Sequence, residues 1–182
     1  MSYIYELLVG EELVEKINYK GVAFEVVSRP ATLWVGKLAY AADLVNEPYI
    51  GGLLDAYRAL TPVQKNKIAN NGWDVCISID YWRNGASPRG MMFAQETLSE
   101  HQDERYDVYQ MPASLFMRAA CTSDSAALLD KNECAVWELF GVMRERVMPL
   151  YNYVFNENGA QEIEYYNHAK GLGYAYVPVL KM

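Results

Sequence analysis

The sequence lacks a hydrophobic run of the length that a membrane-spanning helix needs. No stretch approaches the roughly 20 consecutive apolar residues required. The opening residues, MSYIYELLVGEELVEK (1–16), have neither the basic start nor the apolar centre of a secretory signal peptide. We therefore expect no membrane association and no secretory leader.

Cysteine and histidine are scarce. The three cysteines, Cys76, Cys121 and Cys134, are odd in number and form no C-x-x-C motif, which argues against a disulfide framework and against a zinc site. His101 and His168 lie far apart in polar segments, so neither a histidine metal site nor a catalytic triad is expected. We expect no metal and no cofactor, and we predict a location in the reducing cytoplasm.

Positive charge is also in short supply. The chain has 16 Lys and Arg against 23 Asp and Glu, a net charge of −7 and an isoelectric point of about 4.9. The one cluster of arginines, MRERVM (143–148), is interrupted by Glu145. Because an acidic surface without a basic patch repels nucleic acid, we expect no direct nucleic-acid binding.

Aromatic side chains, by contrast, are abundant, with 15 Tyr and 4 Trp among 182 residues. Both types combine apolar area with a polar tip, which suits a core and also suits a pocket for flat ligands. Most are expected in the core, and Trp137 and Tyr153 are the strongest candidates for a pocket wall. The other candidates for the wall are Tyr151, Tyr81, Tyr109, Trp34, Trp82, Tyr49 and Tyr174.

The first half of the chain predicts two strands, a helix and two more strands. Residues 1–20 are expected to be a helical or irregular lead-in. Segments rich in β-branched and aromatic residues predict strands over 21–30 and 31–41, joined as a hairpin. A helix over 46–60 and alternating strands over 73–82 and 91–99 follow.

The second half repeats this order. Strands are predicted over 104–112 and 113–122, and MPASL at their junction matches PATL at the first one. A helix over 130–149 has Asp130 as its cap and an inner face with Trp137, Phe140 or Gly141, Arg144 and Val147. Two final strands cover 160–167 and 173–180.

The order β-β-α-β-β, occurring twice, predicts a duplicated unit of about 80 residues with pseudo-twofold symmetry. Alternating strands favour an antiparallel sheet with two main helices on it, which is an α+β fold. We divide the chain into an N-terminal extension, 1–20, and one domain, 21–182.

The segment QEIEYYN (161–167) holds the best candidate for chemistry, Glu164. Alternation puts Glu162, Glu164 and Tyr166 on one face of the strand and Ile163 and Tyr165 on the other. If that face meets solvent, Glu164 is ordinary surface charge. If it lines an aromatic cavity, the carboxylate can neutralise a lipophilic cation or act as a general acid or base.

The C-terminal third resembles the end of GyrI-like effector-binding domains. The matching elements are Met148-Pro149, Tyr151 to Tyr153, Ile163-Glu164-Tyr165-Tyr166 and Val177-Pro178-Val179. The two Pro-Ala junctions also match the duplicated layout of that family. The resemblance covers roughly residues 20–182, and the first 20 residues lie outside it.

The resemblance implies a GyrI-like, SHS2-type fold with a central pocket between its halves. Many members of the family are ligand-sensing parts of transcription regulators that bind multiple drugs or lipophilic cations. Others stand alone, one of them named for inhibiting DNA gyrase, and a subset is similar to hydrolases of electrophilic cyclopropanes. By position, Glu164 matches the acidic pocket residue and Tyr166 matches the Tyr two residues later. We find no helix-turn-helix, and Met148 replaces the usual Leu.

Three functions are therefore left open. The first is a stand-alone protein that senses or sequesters a hydrophobic, aromatic or cationic compound, with Glu164 selecting charge. The second is a hydrolase that adds water to a strained electrophile, with Glu164 and Tyr166 as catalytic groups. The third is an interaction protein whose acidic surface contacts a protein partner such as a topoisomerase, or a second copy of the chain.

Overall fold

A computed structural model describes residues 3–41, 49–60, 68–70, 72–80, 89–99, 101–158 and 160–182. Ten strands and three α-helices occur in this part of the chain. In order, they are β1 (Glu12–Tyr19), β2 (Val22–Arg29), β3 (Thr32–Ala41), α1 (Tyr49–Leu60), β4 (Asp74–Ile79), β5 (Arg89–Thr97), β6 (Asp107–Met111), β7 (Ser114–Ala120), α2 (Ser123–Leu128), α3 (Glu138–Val142), β8 (Tyr153–Phe155), β9 (Glu162–Asn167) and β10 (Leu172–Lys181).

All ten strands belong to one antiparallel sheet. Its order is β1-β2-β7-β10-β9-β4-β5-β3-β6, and β8 pairs separately with β10. Exchanging β2 with β6, β3 with β7, β4 with β9 and β5 with β10 gives the same order from the opposite end. The predicted α+β fold, with a duplicated antiparallel unit, is therefore confirmed, and β4 and β9 meet at its centre.

The predicted hairpin between β2 and β3 is wrong, and β6 and β7 do not pair with each other either. Each strand crosses to the other half of the sheet, so that β2 pairs with β7 and β3 pairs with β6. Pro30 and Pro112 stand at the two crossings, where a residue without a backbone N–H ends one strand before the next begins. Local sequence marks the junction, but pairing partners are chosen by burial over long range.

The prediction of a helical or irregular lead-in is wrong for 12–19, which are strand β1 at the edge of the sheet, whereas 3–11 contain neither helix nor strand. Before it, Tyr5 and Leu8 are buried in the core, and the Tyr5 hydroxyl donates to the Ala23 carbonyl at 2.6 Å. Residues 3–19 thus pack against the predicted domain. The boundary between an extension and a domain at residue 20 stays a prediction.

Side chains of β10 divide the core into two clusters on opposite faces of the sheet. Tyr174 and Tyr176 point to one face, where Trp34 and Tyr165 pack with them. The intervening Ala175, Val177 and Val179 point to the other face, against Leu139, Phe140 and Met143. The second face is therefore the one that α3 covers.

The first of these faces also holds buried ion pairs. Nη1 of Arg118 lies 2.8 Å from Glu11, and its Nη2 lies 2.6 Å from Glu25. Nη2 of Arg29 lies 2.8 Å from Glu96. Arg118 is fully buried, and its two carboxylate partners come from the N-terminal segment and from β2. The pairs therefore hold residues before β1 onto the centre of the fold.

The predicted helix over 130–149 is shorter and less regular than expected. Asp130 has a φ of 58°, so it stands in a turn and caps no helix. Helix α3 begins at Glu138, continues as a π-helical turn over Met143–Val147 and ends in a 3₁₀ turn over Met148–Tyr151. A short helix before it, α2, escaped prediction although Thr122 caps it by accepting from the Ser125 N–H. The whole of 138–151 is called the α3 segment below.

Cys121 and Cys134 form a disulfide with their Cα atoms 6.2 Å apart, so the argument against a disulfide is wrong. Counting cysteines gives no information on position, and here the turn through α2 returns the chain to the end of β7. Cys76 is free and buried. The prediction of a cytoplasmic location therefore loses its support from the cysteines. No helix in the described residues is long and apolar enough to cross a membrane.

Candidate functional site

A cleft of about 1180 Å³ lies over the central strands of the sheet. Helix α1 supplies one wall through Leu54, Tyr57 and Arg58, and the α3 segment supplies further lining residues. The residues from the α3 segment and the turn before it are Trp137, Glu138, Phe140, Gly141 and Arg144. Because β4 and β9 meet at the pseudo-twofold axis, the cleft lies between the two halves of the duplicated fold.

The floor of the cleft is one face of the β4–β9 pair. Antiparallel register sets Cys76 opposite Glu164, Ser78 opposite Glu162 and Asp74 opposite Tyr166. Alternation sends these six side chains to the cleft and their neighbours to the aromatic core on the other face. Met91 and Phe93 of β5 extend the floor, and His168 lies beyond Tyr166. Two glutamates are thus set into a largely apolar surface.

Glu164 is buried at the centre of this floor, with 8% of its surface exposed. The Tyr166 hydroxyl donates a hydrogen bond to its Oε2. Burial raises the pKa of the Glu164 carboxyl above its ordinary value, and the bond from Tyr166 offsets part of that rise. The pKa of Tyr166 is also raised, by burial first and by the nearby carboxylate second, so Tyr166 stays a hydrogen-bond donor.

Glu162, two residues earlier on the same face, is only 3% exposed. Arg144 of the α3 segment faces Glu162, and its Nη1 lies 3.2 Å from Oε1 of the glutamate. Burial raises the pKa of Glu162 to about 7, although Arg144 acts in the opposite direction, and Glu164 adds to the rise. The site therefore holds two carboxyl groups whose charges are set by different partners.

The pH dependence of stability should reveal the raised pKa of Glu162. Its folded pKa of about 7 exceeds the unfolded value of 4.5, so the folded state binds the extra proton and stability falls as pH rises between these values. Since one pKa unit is about 1.4 kcal/mol, Glu162→Gln should be more stable than wild type by about 3 kcal/mol above pH 7 and nearly equal to it at pH 4.5.

Urea unfolding at a series of pH values measures this difference, with Glu12→Gln on the exposed face of β1 as the matched control. A stability gap that does not change with pH would show that Glu162 titrates normally in the folded protein.

The structure brings three of the predicted site residues together. Glu164, Tyr166 and Trp137 all line the cleft. Trp137 is 59% exposed, so it can shield a ligand without first giving up a place in the core. Whether these residues act on a ligand stays a prediction.

Three of the other predicted site residues, Tyr153, Tyr151 and Tyr109, lie outside the lining of the cleft. The Tyr153 hydroxyl donates to Glu15 at 2.6 Å and joins β8 to β1, and the Tyr151 hydroxyl donates to the Asn18 carbonyl at 2.8 Å and joins the α3 segment to β1. Tyr109 is half-buried on β6, opposite Trp34 of β3. Tyr81 and Trp82 lie outside the described residues.

Two charged residues of the cleft were named from the sequence without being assigned to the site. Arg144 was expected on the inner face of its helix, and Glu162 was expected to share a face with Glu164. Period-two alternation was a sufficient signal for Glu162. The pairing of Arg144 with Glu162 joins residues 18 positions apart on different elements, and no local pattern predicts it. Tyr57, whose hydroxyl donates to Asp74 at 2.5 Å, lies in the helix predicted over 46–60 and was not assigned to the site.

Comparison with known proteins places the fold among solved structures. No family model matches the sequence, and no curated protein matches it. An integron cassette protein from the mobile metagenome of Vibrio cholerae is 13% identical with a TM-score of 0.56, over 86% of this chain and 95% of that one. SAV2435 bound to tetraphenylphosphonium is 13% identical with a TM-score of 0.57, over 86% and 93%.

The C-terminal domain of EcmrR gives a similar result, with 12% identity and a TM-score of 0.51 over 87% of this chain and 98% of that one. At such identities the likeness is one of fold. That fold is consistent with the GyrI-like architecture expected from the sequence.

Proposed function

We propose that this chain is a GyrI-like protein that binds a hydrophobic cation in the cleft and thereby senses or sequesters it. The observation that carries the proposal is the position of Glu164, a buried carboxylate that accepts from Tyr166 on the floor of a largely apolar cleft. A buried charge is costly unless it is paired. A bound cation would provide the pairing that the protein leaves incomplete.

The size and lining of the cleft support a ligand of drug size. Pockets for such ligands usually enclose about 300–1,000 Å³, and the cleft slightly exceeds that range. Phe93, Phe140 and Trp137 offer apolar area, whose burial would provide most of the affinity. The rings of Tyr57 and Tyr166 can add cation–π attraction beside the carboxylate. SAV2435, which has a similar fold, was solved bound to tetraphenylphosphonium, a hydrophobic cation.

A pair of ions with one shape and opposite charges tests the proposal. Tetraphenylphosphonium should bind at least about 100-fold more tightly than tetraphenylborate, because like charges brought together in an interface cost several kcal/mol. Isothermal titration of the wild-type protein with each ion measures the ratio. Equal affinities would mean that shape alone is recognised, and no binding of either ion would end the proposal.

A hydrolase is the second candidate, and the hydrogen bond between Tyr166 and Glu164 favours it. The Glu164 carboxylate, which a raised pKa makes a stronger base, can take a proton from water while that water attacks a ring carbon of an activated cyclopropane. As the oxygen bonds to that carbon, the adjacent ring C–C bond breaks. Glu164 then returns the proton to the other carbon of the broken bond. Mass spectrometry of such a compound would find one added water with the wild-type protein and none with Glu164→Gln. A compound recovered unchanged from both would exclude this chemistry for that substrate.

A further inference from the structure

The two glutamates on the floor of the cleft have partners of different charge. Within the described residues, Glu164 accepts from a neutral hydroxyl, that of Tyr166, whereas Glu162 faces a cation of the protein itself, the guanidinium of Arg144. Their Cα atoms are two strand positions apart, which is about 7 Å. The cleft therefore has two acidic positions in a row, and the chain fills one of them with its own positive charge.

The contact between Arg144 and Glu162 is incomplete. The two atoms are 3.2 Å apart, yet Oε1 of Glu162 has no hydrogen-bond partner among the described residues and is buried. A buried acceptor without a partner costs free energy, so a donor with good hydrogen-bond geometry to Oε1 would be favoured. The Arg144 side chain is 35% exposed while that of Glu162 is 4% exposed, so the arginine can turn to solvent but the glutamate cannot.

The other carboxylates of the cleft already have partners in the protein. Asp74 accepts from the Tyr57 hydroxyl, and Glu138 accepts from the Ala135 N–H and pairs with Lys131. The remaining basic groups of the lining are Arg58 and His168, and both are exposed. Glu162 and Glu164 are thus the acidic groups of the described lining that a ligand could reach and satisfy.

We propose that the cleft takes a hydrophobic ligand with two cationic groups about 7 Å apart, such as an aromatic diamine. One group pairs with Glu164, and the other displaces Arg144 and donates to Glu162. Arg144 acts as an internal competitor that holds the second position when no ligand is bound. The inference rests on the proposed function, since it assumes that the cleft binds cations.

The location of Arg144 in a π-helical turn fits this role. Such turns inserted in α-helices are often found at functional sites, where they alter the direction of side chains relative to a regular helix. Here the turn over Met143–Val147 keeps Met143 and Val147 in the core while Arg144 reaches the cleft. The exposure of its side chain leaves Arg144 room to turn away from Glu162.

Two amines of equal shape test the inference. The diamine is a naphthalene with aminomethyl groups at opposite ends of one ring, and in the monoamine an ethyl group replaces one of them. Affinities are measured by isothermal titration at about pH 8.5, above the Glu162 pKa of about 7. The quantity of interest is the ratio of the two affinities, which cancels general effects of net charge.

Wild type should prefer the diamine, and Arg144→Gln should enlarge that preference about tenfold because the competitor is gone. Glu162→Gln should reduce the ratio to about one. Arg146→Gln, an exposed arginine two residues along the same segment, is the matched control and should leave the ratio unchanged.

Each outcome decides between two accounts. A ratio near one in wild type, or one that neither Arg144→Gln nor Glu162→Gln alters, overturns the inference. If tetraphenylphosphonium still binds in that case, the proposed function stands and only the second position is refuted. If no cation binds, both fall together. Should Arg144→Gln not fold, the comparison of wild type with Glu162→Gln gives the same decision.

Discussion

Glu164→Gln is expected to weaken tetraphenylphosphonium binding by about 2–3 kcal/mol, which is roughly 30- to 150-fold. The substitution keeps the size of the side chain and its capacity to accept from Tyr166, and it removes only the charge. The full effect is expected because Glu164 lies in a buried, apolar setting, where little water is present to solvate the cation once the carboxylate is removed. Affinity for a neutral analogue should change little.

The control is Glu12→Gln, which removes the same charge from an exposed position of β1. It reports the effect of net charge on a chain that already carries −7. Equal losses for Glu164→Gln and Glu12→Gln would mean that the field of the whole protein attracts the cation. Equal losses for cationic and neutral ligands would mean that Glu164 positions ligands but does not select their charge.

Arg118→Met is expected to lower the free energy of unfolding by about 3–5 kcal/mol, the usual cost of leaving buried partners unpaired. Glu25 would lose its guanidinium at 2.6 Å, and Glu11 would lose the nearer of its two, with Arg29 left at 3.4 Å. The Glu6 carbonyl and the Tyr176 hydroxyl would each lose a donor. Residues 3–11 should also become more accessible, because Arg118 bonds to Glu6 and Glu11 within this segment.

Urea unfolding measures the loss, and hydrogen exchange of residues 3–11 locates it. Arg105→Met removes an exposed arginine that pairs with Asp103, and stability should not change measurably. If Arg118→Met were as stable as wild type, the buried pairs would not be holding the N-terminal segment.

The sequence predicted the features that depend on local alternation and repetition. Alternating residues in WDVCISID and QEIEYYN located β4 and β9 and put Glu164 and Tyr166 on one face. The repeated Pro-Ala junctions predicted the duplication. These features depend on residues close together in the chain, so they can be read without knowing the partners of each strand.

Features that depend on distant partners could not be predicted in this way. The exchange of β2 and β6 between halves is decided by burial across the whole sheet, and the strand nature of β1 depends on pairing with β2. Tyr153 was favoured for the pocket because it precedes the glutamate strand, but its side chain packs under the α3 segment and bonds to Glu15. Proximity in sequence to Glu164 did not imply proximity in space.

The pairing of Arg144 with Glu162 shows the same limit within the site. An arginine on the inner face of a helix is unusual, and that alone marks it for attention. Its partner could not be predicted, because Arg144 lies in an irregular π-helical turn that no local sequence pattern indicates. The position of Glu164 could therefore be predicted from the sequence, whereas the pairing of charges in the cleft could be seen only in the structure.

A crystal structure of the protein with tetraphenylphosphonium tests the central claim most directly. The account predicts the ion in the cleft between α1 and the α3 segment, with Glu164 as the nearest carboxylate and aromatic rings against its phenyl groups. An ion bound elsewhere on the molecule, with the cleft unchanged, would contradict the assignment of this cleft as the binding site.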